Sequence, residues 1–490
     1  MSDVIDAQTA ERDRLVTATD LLIDGRWVPA EDGHTFLVDD PATGEVIASV
    51  ADAGPGDALD ALTVADERFP AFAAMTPVQR ADLLSAAHAL LRERAETFAA
   101  LITLEMGKPL AESRGEVSYA ADYLRWFAGE ALRLTGSVRQ LPDASGEMIV
   151  THEPVGVCVL ITPWNFPLAM AARKLAPALA AGCTSILKPA PQTPLTSLAF
   201  GQLLLDAGVP AGVVNVLPSD RAGAIVTPLL SDRRVRKVSF TGSTEVGRVL
   251  LRQAADGVLR SSMELGGNAP FLVLDDADLD AAVEGALLAK LRNGGQACTA
   301  ANRFIVDHSV AEEFAARLTA RFSSLTVAPG FDPDSELGPL IDEAAVLKVS
   351  RLIEDATSRG ATVRTGGQVR SGRFFEPTVI TGVPADARIN HEEIFGPVAA
   401  ITTFEDEAQA IRLANDTEYG LVAYLYTRDI GRARRVGRAL QTGMLAVNRG
   451  VVSSASAPFG GIKASGLGRE GGNEGIDEYV QLKYTAVDAR

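Results

Sequence analysis

The sequence predicts an α/β protein built on parallel sheets that helices cover on both faces. From residue 155 onward, short apolar runs such as VGVCVLITPW and TSILKPA alternate with helical stretches such as LAMAARKLAPALAAG. The runs are continuously apolar, which is typical of strands buried on both faces of a parallel sheet. A second stretch with the same alternation begins near Pro270 and continues to about residue 445. We expect ligands at the carboxyl ends of these strands, where open α/β sheets bind them.

The remaining segments follow in order along the chain. The N-terminal ~20 residues are expected to form a loose or helical arm, and residues 21–50 alternate apolar and polar positions around Gly and Pro, which indicates short strands. Residues 57–135 have helical periodicity, as in RADLLSAAHALLRERAETFAALITLEMGKPL. The final segment, DEYVQLKYTAVDAR, alternates like an edge strand and is expected to pair with another subunit or with a neighbouring hairpin.

The composition indicates a globular chain and excludes several classes of partner. Hydrophobic residues make up 47% of the 490 residues and charged residues 22%, which argues against disorder. The net charge of −17 disfavours nucleic acid and anionic membranes as partners. The first twenty residues lack the apolar region of an export signal, and no apolar run reaches the ~20 residues of a spanning helix. We therefore expect a cytoplasmic protein.

The three cysteines divide into two types. Cys158 and Cys183 lie in apolar runs and are interpreted as core thiols. Cys298 lies in the small and polar segment GGQACTAANR, and it is a candidate nucleophile provided that a neighbouring group lowers its pKa. Three scattered cysteines are too few for a disulfide scaffold or a zinc site, so no metal is expected.

Four further loops carry residues with two interpretations each. Asn165 in TPWNFP is either an ordinary turn residue or a donor to a developing oxyanion. Glu264 in MELGG is either a structural hydrogen-bond acceptor or a general base, and Lys188 in LKPA is either solvated or a ligand of ribose hydroxyls or a phosphate. The segment FTGSTEVG is either a tight turn or a helix start that binds a diphosphate.

Together, in this order and spacing, these segments resemble the aldehyde dehydrogenase superfamily. The anchors are TPWNFP, LKPA, FTGSTEVG, MELGG, GQAC and EEIFGP, and the resemblance extends from about residue 20 to the end of the chain. The stretches AARKLAPALAAGC, AVEGALLAKLRNGGQ and APFGGIKASGLGREG are most similar to the succinate-semialdehyde dehydrogenase branch. The resemblance implies an NAD(P)-dependent oxidoreductase with a Rossmann-type cofactor domain, an α/β catalytic domain and a small β element for oligomerisation.

The resemblance assigns a role to each anchor. Cys298 is similar to the nucleophile that forms a thiohemiacetal and then a thioester, and Glu264 is similar to the base that activates the hydrolytic water. Asn165 and the backbone N–H of Cys298 resemble the oxyanion hole. The cofactor-binding residues that the resemblance implies are Thr162, Pro163, Trp164, Lys188, Arg221, Thr241, Gly242, Ser243, Leu265, Glu393 and Phe395.

The branch resemblance also implies a substrate. Arg173, Arg292 and Ser453 resemble the residues that bind the distal carboxylate of succinate semialdehyde, and two guanidinium groups suit a carboxylate physically. Glutarate semialdehyde, or another aliphatic or aromatic aldehyde, remains the alternative substrate. A catalytically silent member is disfavoured because the nucleophile, base and oxyanion residues are all present. Acyl transfer to coenzyme A is disfavoured because the water-activating Glu264 is present.

Two positions depart from the family pattern. Many branch members carry a second Cys two residues after the nucleophile, but here the residue is Ala300, so we expect no intramolecular redox-switch disulfide. NAD-preferring relatives often carry a Glu three residues after the LKPA lysine, but here the residue is Pro191. Without that carboxylate a 2′-phosphate is not repelled, and Arg221 is expected to assist its binding. We therefore expect NADP, or dual use of NADP and NAD.

The resemblance further implies domain boundaries and an assembly. Residues 1–136 and 154–268 are expected to form the NAD(P)-binding domain, and residues 269–455 the catalytic domain. Residues 137–153 and 470–490 are expected to form an oligomerisation hairpin and tail, which would assemble a homodimer or homotetramer.

Overall fold

The computed structural model describes residues 15–488, so most of the expected N-terminal arm, and the last two residues of the expected tail, lie outside the described residues. The helices are α1 Pro55–Ala73, α2 Pro77–Glu93, α3 Ala95–Met106, α4 Leu110–Arg133, α5 Pro167–Ala181, α6 Pro194–Asp206, α7 Ala222–Ser231, α8 Thr244–Asp256, α9 Leu279–Leu291, α10 Ala311–Ser323, α11 Glu343–Ser358, α12 Glu407–Asn415, α13 Ile430–Ala439 and α14 Glu474–Asp477. Within this part of the chain, no helix is long and apolar enough to cross a membrane.

The strands connect these helices into sheets. They are β1 Leu21–Ile23, β2 Arg26–Val28, β3 Thr35–Asp39, β4 Val46–Ala51, β5 Ser137–Gln140, β6 Gly146–Pro154, β7 Val157–Ile161, β8 Thr184–Lys188, β9 Val214–Val216, β10 Val235–Thr241, β11 Arg260–Glu264, β12 Ala269–Val273, β13 Ala301–Asp307, β14 Thr362–Thr365, β15 Val369–Ser371, β16 Phe374–Phe375, β17 Thr378–Thr381, β18 Val398–Phe404, β19 Val422–Tyr426, β20 Met444–Val447, β21 Gly466–Leu467 and β22 Val480–Asp488.

The first large sheet has eight strands in the order β2-β1-β9-β8-β7-β10-β11-β21. The five strands from β9 to β11 are mutually parallel, and two hydrophobic clusters pack against them. The predicted parallel sheet is therefore confirmed. Lys188, Thr241 and Glu264 are each the last residue of their strand, so the sheet brings them to one edge.

The helix α5 shows how the local sequence sets an element boundary beside this edge. Pro167 begins the helix, where its missing N–H costs nothing. Gly182 ends it in the left-handed region at φ 95°, as helix-terminating glycines do. Every residue of α5 is buried. The TPWNFP loop between β7 and α5 is consequently fixed at both ends.

The second large sheet has seven strands in the order β14-β17-β18-β13-β12-β19-β20. All neighbouring pairs are parallel except β14 and β17. Cys298 lies three residues before β13, and Glu393 lies in the loop before β18. After this sheet the chain returns to the first one, because β21 pairs antiparallel with β11.

The end of the chain forms a small separate sheet in the order β22-β6-β5. β22 pairs with β6 over nine residues, from Val480 with Pro154 to Asp488 with Gly146. Of the two partners that the sequence left open for the tail, the structure therefore shows the neighbouring hairpin. Leu482 and Tyr484 project from β22 with 67% and 57% of their surfaces exposed.

Candidate active site

A cavity of about 360 Å³ lies between the carboxyl edge of the first sheet and the loops of the second. Its walls bring together residues that are separated by up to 340 positions in sequence, and all three predicted catalytic residues are among them. The predicted site residues that line it are Pro163, Trp164, Asn165, Arg173, Thr241, Gly242, Ser243, Glu264, Leu265, Arg292, Cys298, Glu393, Phe395 and Ser453. Thr162, Lys188 and Arg221 lie outside this cavity.

Cys298 is partly exposed in the cavity wall, whereas Cys158 and Cys183 are fully buried in the core. The surrounding atoms withdraw the Cys298 thiol from water, which raises its pKa to about 12. The positive charges of Arg173 and Arg292 oppose this increase but do not overcome it. The lowered pKa that the sequence interpretation required is therefore absent, and the thiol needs a base before it can attack.

A strained turn holds the nucleophile loop. Asn293, Gly294 and Gly295 have φ values of 57°, 63° and 75°, so three consecutive residues are in the left-handed region. A Cβ on Gly295 would collide with the carbonyl group of Gly396. On the other side of the nucleophile, the hydroxyl of Tyr424 donates to the Thr299 carbonyl at 2.8 Å. The loop is thus fixed on both sides of Cys298.

Asn165 is buried with its side-chain amide directed at the nucleophile loop. Its Nδ2 donates to the backbone carbonyl of Gln296 at 2.9 Å, and its Oδ1 has no hydrogen-bond partner among the described residues. An amide nitrogen carries two hydrogens, so one N–H remains free for a ligand in the cavity. A preorganised donor beside a nucleophile can stabilise an oxyanion.

Glu264 is a buried carboxylate, and its Oε2 has no hydrogen-bond partner among residues 15–488. Burial and the nearby negative charge of Glu470 raise the pKa of Glu264 well above its ordinary value. Arg173 and Lys174 partly oppose the increase. In its ionised form, a carboxylate with a raised pKa and a free oxygen accepts a proton more readily than an ordinary one, as a general base must.

Glu470 is a charged residue of the site region that sequence reasoning missed. Its two oxygens lie 2.7 Å from Nη2 of Arg173 and 2.6 Å from Nζ of Lys174, and these two cations hold its pKa below the ordinary value despite burial. The guanidinium of Arg173 also lies 4.0 Å from the centre of the Phe459 ring. The sequence does contain a signal for such a carboxylate. Arg173 and Lys174 are adjacent inside an apolar helix, and buried cations need a carboxylate partner.

Arg292 has a different environment from Arg173. It is partly exposed, it lines the cavity with Ser453, and within residues 15–488 no carboxylate forms an ion pair with it. Its guanidinium lies 5.0 Å from the centre of the Phe166 ring. The predicted pair of arginines is therefore brought to one cavity, and of the two only Arg292 has no carboxylate at ion-pair distance in the described chain.

The other end of the cavity has the features of a dinucleotide site. Ser243 caps α8 by accepting a hydrogen bond from the N–H of Val246, so the start of a thirteen-residue helix faces this end. Glu393 accepts from the N–H of Gly267 at 3.0 Å, and burial raises its pKa to about 7. The hydroxyl of Thr241, which lines the cavity, and that of Thr162, just outside it, are buried without hydrogen-bond partners in the described chain. These unsatisfied donors and the helix start fit a nicotinamide dinucleotide.

Lys188 and Arg221 lie beyond the cavity, near a group of carboxylates. Burial lowers the pKa of Lys188 to about 8, while Asp220 and Asp52 favour its charged form. The guanidinium of Arg221 is paired with Asp52 at 2.8 Å and with Asp32 at 2.9 Å. A cofactor phosphate would therefore share Arg221 with two carboxylates.

Comparison with known proteins identifies the family. The model of the aldehyde dehydrogenase family matches residues 27–485. A succinate-semialdehyde dehydrogenase of Paenarthrobacter nicotinovorans is 53% identical, covering 90% of this chain and 99% of that protein. A glutarate-semialdehyde dehydrogenase of Pseudomonas putida is 48% identical, covering 95% and 97%. A crystal structure of an E. coli NADP-dependent enzyme superposes with a TM-score of 0.96 at 49% identity, covering 97% and 99%. The chain belongs to the aldehyde dehydrogenase family.

Proposed function

We propose that this protein oxidises succinate semialdehyde to succinate with NADP or NAD. The observation that carries the proposal is the shared cavity, which is lined by a thiol, an amide donor, a buried carboxylate and an arginine without an ion-pair partner among the described residues. The thiol and carboxylate suit aldehyde oxidation through a thioester, and the arginine suits a substrate with a second, anionic end.

In the first half of the reaction, the Sγ of Cys298 attacks the aldehyde carbon and forms a thiohemiacetal. Because the thiol pKa is about 12, a base must remove its proton, and we assign this step to Glu264, a buried carboxylate of the cavity with a raised pKa. The free N–H of Asn165 stabilises the negative charge that develops on the aldehyde oxygen. The bound nicotinamide cofactor supplies the hydride acceptor, and the substrate is left as a thioester on Cys298.

In the second half, a water molecule hydrolyses the thioester. Glu264, after releasing the Cys298 proton to solvent, takes a proton from the water and so generates the attacking hydroxide. Asn165 stabilises the second tetrahedral oxyanion as it did the first. Collapse of this intermediate releases succinate and returns Cys298 to its thiol form.

The substrate proposal rests on the cations of the cavity and on the relatives. Arg292 is proposed to bind the distal carboxylate, assisted by Arg173 and the hydroxyl of Ser453. Relatives of similar identity are named for succinate and for glutarate semialdehyde, which differ by one methylene. Glutarate semialdehyde is therefore the second candidate, since one methylene changes binding by only about 1–3 kcal/mol.

The cofactor proposal rests on both ends of the dinucleotide site. Glu393 and Phe395 are proposed to hold the nicotinamide half, Ser243 and the start of α8 the diphosphate, and Lys188 the adenosine ribose. At the adenosine end, the positive Lys188 and Arg221 are balanced by Asp32 and Asp52. This balance supports use of both cofactors, with NADP favoured by the absence of a carboxylate at Pro191.

We further propose that the protein is a cytoplasmic homodimer or homotetramer. The exposed apolar side chains of β22, Leu482 and Tyr484, support an intersubunit role for the small sheet. The unpaired thiols of the chain support a reducing compartment.

The experiment that tests the function compares initial rates with succinate semialdehyde, glutarate semialdehyde, butanal and benzaldehyde, each with NADP and NAD. We expect the highest kcat/KM for succinate semialdehyde. We also expect Cys298→Ala to lower kcat by at least about 10⁴-fold while cofactor binding is retained. A variant that keeps wild-type activity would exclude the thioester mechanism. Equal kcat/KM values for the charged and uncharged aldehydes would exclude the carboxylate clamp.

A further inference from the structure

A buried lysine lies directly behind the oxyanion loop, outside every role described above. The Nζ of Lys108 donates to the backbone carbonyl of Asn165 at 2.7 Å and to Oε2 of Glu116 at 2.7 Å. The same ammonium lies 4.0 Å from the centre of the Phe166 ring. The Lys108 side chain is 1% exposed and that of Glu116 is 0% exposed, so neither group contacts bulk water.

Glu116 extends this contact to the helix that follows the loop. Its Oε1 accepts the backbone N–H groups of Leu168 and Ala169 at 2.9 and 3.1 Å. These N–H groups belong to the first turn of α5, where they have no partner within the helix. Lys108 and Glu116 together therefore hold both the carbonyl of Asn165 and the helix start immediately beyond it.

The nucleophile loop is tied to the same carbonyl from the opposite side. The side-chain Nδ2 of Asn293 donates to the Asn165 carbonyl at 2.9 Å. The backbone N–H of Asn293 donates to Oε2 of Glu112 at 2.7 Å. Glu112 and Glu116 are one turn apart on α4, so a single helix face supports both the loop of the oxyanion donor and the loop of the nucleophile.

The buried pair of Lys108 and Glu116 is better explained by a role in orienting the Asn165 loop than by a contribution to stability. A buried ion pair adds little net stability over apolar side chains of similar volume, because both charges lose their hydration. Among the described residues, the side-chain amide of Asn165 has one hydrogen bond, to Gln296. Its direction therefore depends on where the backbone of the loop is held, and Lys108 is one of the two donors to that backbone carbonyl.

We propose that Lys108, held by Glu116, is a positioning residue that aims the Asn165 amide at the oxyanion formed on the Cys298 adduct. The inference rests on the proposed function, since it concerns the oxyanion of that reaction. A displacement of about 1 Å at a reacting group can cost about 10²-fold in rate. Loss of the Lys108 ammonium should therefore act on oxyanion formation and leave the reactivity of the thiol itself intact.

The test replaces Lys108 by Met, which keeps the length and volume of the side chain and removes the charge. We expect Lys108→Met to lower the single-turnover rate of cofactor reduction by about 10- to 100-fold. Alkylation of Cys298 by iodoacetamide forms no oxyanion, so its rate and the cofactor Kd should change by less than about twofold. Arg114→Met is the matched control, because Arg114 lies on α4 with Glu116 but in an exposed pair with Glu96, and it should behave as wild type.

A second variant separates positioning from folding. Lys108→Met/Glu116→Gln removes both charges and keeps an acceptor at position 116, and it should show the same loss with an unfolding temperature near that of wild type. Wild-type rates of cofactor reduction in a folded variant would overturn the inference. Equal losses in cofactor reduction and in alkylation would also overturn it, since general loosening predicts them. If wild-type protein oxidised no aldehyde, the proposed function would have failed instead.

Discussion

The raised pKa of Glu264 predicts how kcat depends on pH. Burial and Glu470 raise that pKa well above its ordinary value, and only the ionised carboxylate accepts a proton. We expect kcat to rise with pH as Glu264 ionises and then to level off. In Glu264→Gln, this pH-dependent rise should disappear, and both cofactor reduction and thioester hydrolysis should become slower, because the same carboxylate serves both steps. Wild-type rates of cofactor reduction and of hydrolysis in this variant, measured in single turnovers, would argue against the base role of Glu264.

The two arginines of the cavity should respond differently to replacement. Arg292 has no ion-pair partner within the described chain, so Arg292→Leu should lower kcat/KM for succinate semialdehyde by about 10²-fold and leave butanal oxidation nearly unchanged. Arg173 is paired with the buried Glu470, so Arg173→Leu should also cost about 3–5 kcal/mol in the free energy of unfolding. Steady-state kinetics and denaturant unfolding of both variants measure these effects. Similar destabilisation by the two replacements would contradict the distinction.

Among elements, the turn before Cys298 tolerates little change. Gly295 combines φ 75° with close contact to Gly396, so Gly295→Ala should destabilise the protein by at least about 2 kcal/mol and lower kcat. Gly294 also has a positive φ, but the nearest atom to an added Cβ is 3.4 Å away. Gly294→Ala should therefore cost only about 1 kcal/mol, the strain of the backbone alone. Denaturation curves of the two variants, measured side by side, test the contrast.

The elements also show why some site residues were predictable and others were not. Each strand of the parallel sheet ends in a loop, so Asn165, Lys188 and Glu264 could be assigned to one edge from the pattern of apolar runs. Lys108 lies in a stretch with helical periodicity, and Glu470 lies in a glycine-rich loop. Lys108 donates to the carbonyl of Asn165, 57 residues away, and Glu470 pairs with Lys174, 296 residues away. Periodicity carries no information about contacts at such separations.

For the whole molecule, the exposed apolar side chains of the small sheet β22-β6-β5 predict that subunits associate through this sheet. Leu482 and Tyr484 are two residues apart in β22 and therefore lie on one face of it. Leu482→Asp/Tyr484→Asp should shift the protein to a smaller species in light scattering, because burial of those side chains between subunits would be lost. Gln481→Asp/Thr485→Asp changes the opposite face and serves as the control. An unchanged mass for the first variant would remove β22 from the interface.

The sequence by itself determined the parallel-sheet architecture, the family and the loop positions of the nucleophile, base and oxyanion donor, because these depend on local patterns and on motifs in a fixed order. Only the tertiary structure decided the charge state of the cavity. Packing withdraws the Cys298 thiol from water and raises its pKa, pairs Arg173 with Glu470, and leaves Arg292 without an ion-pair partner in the described chain. Desolvation and pairing between distant segments set these properties, and both arise only when the chain is folded.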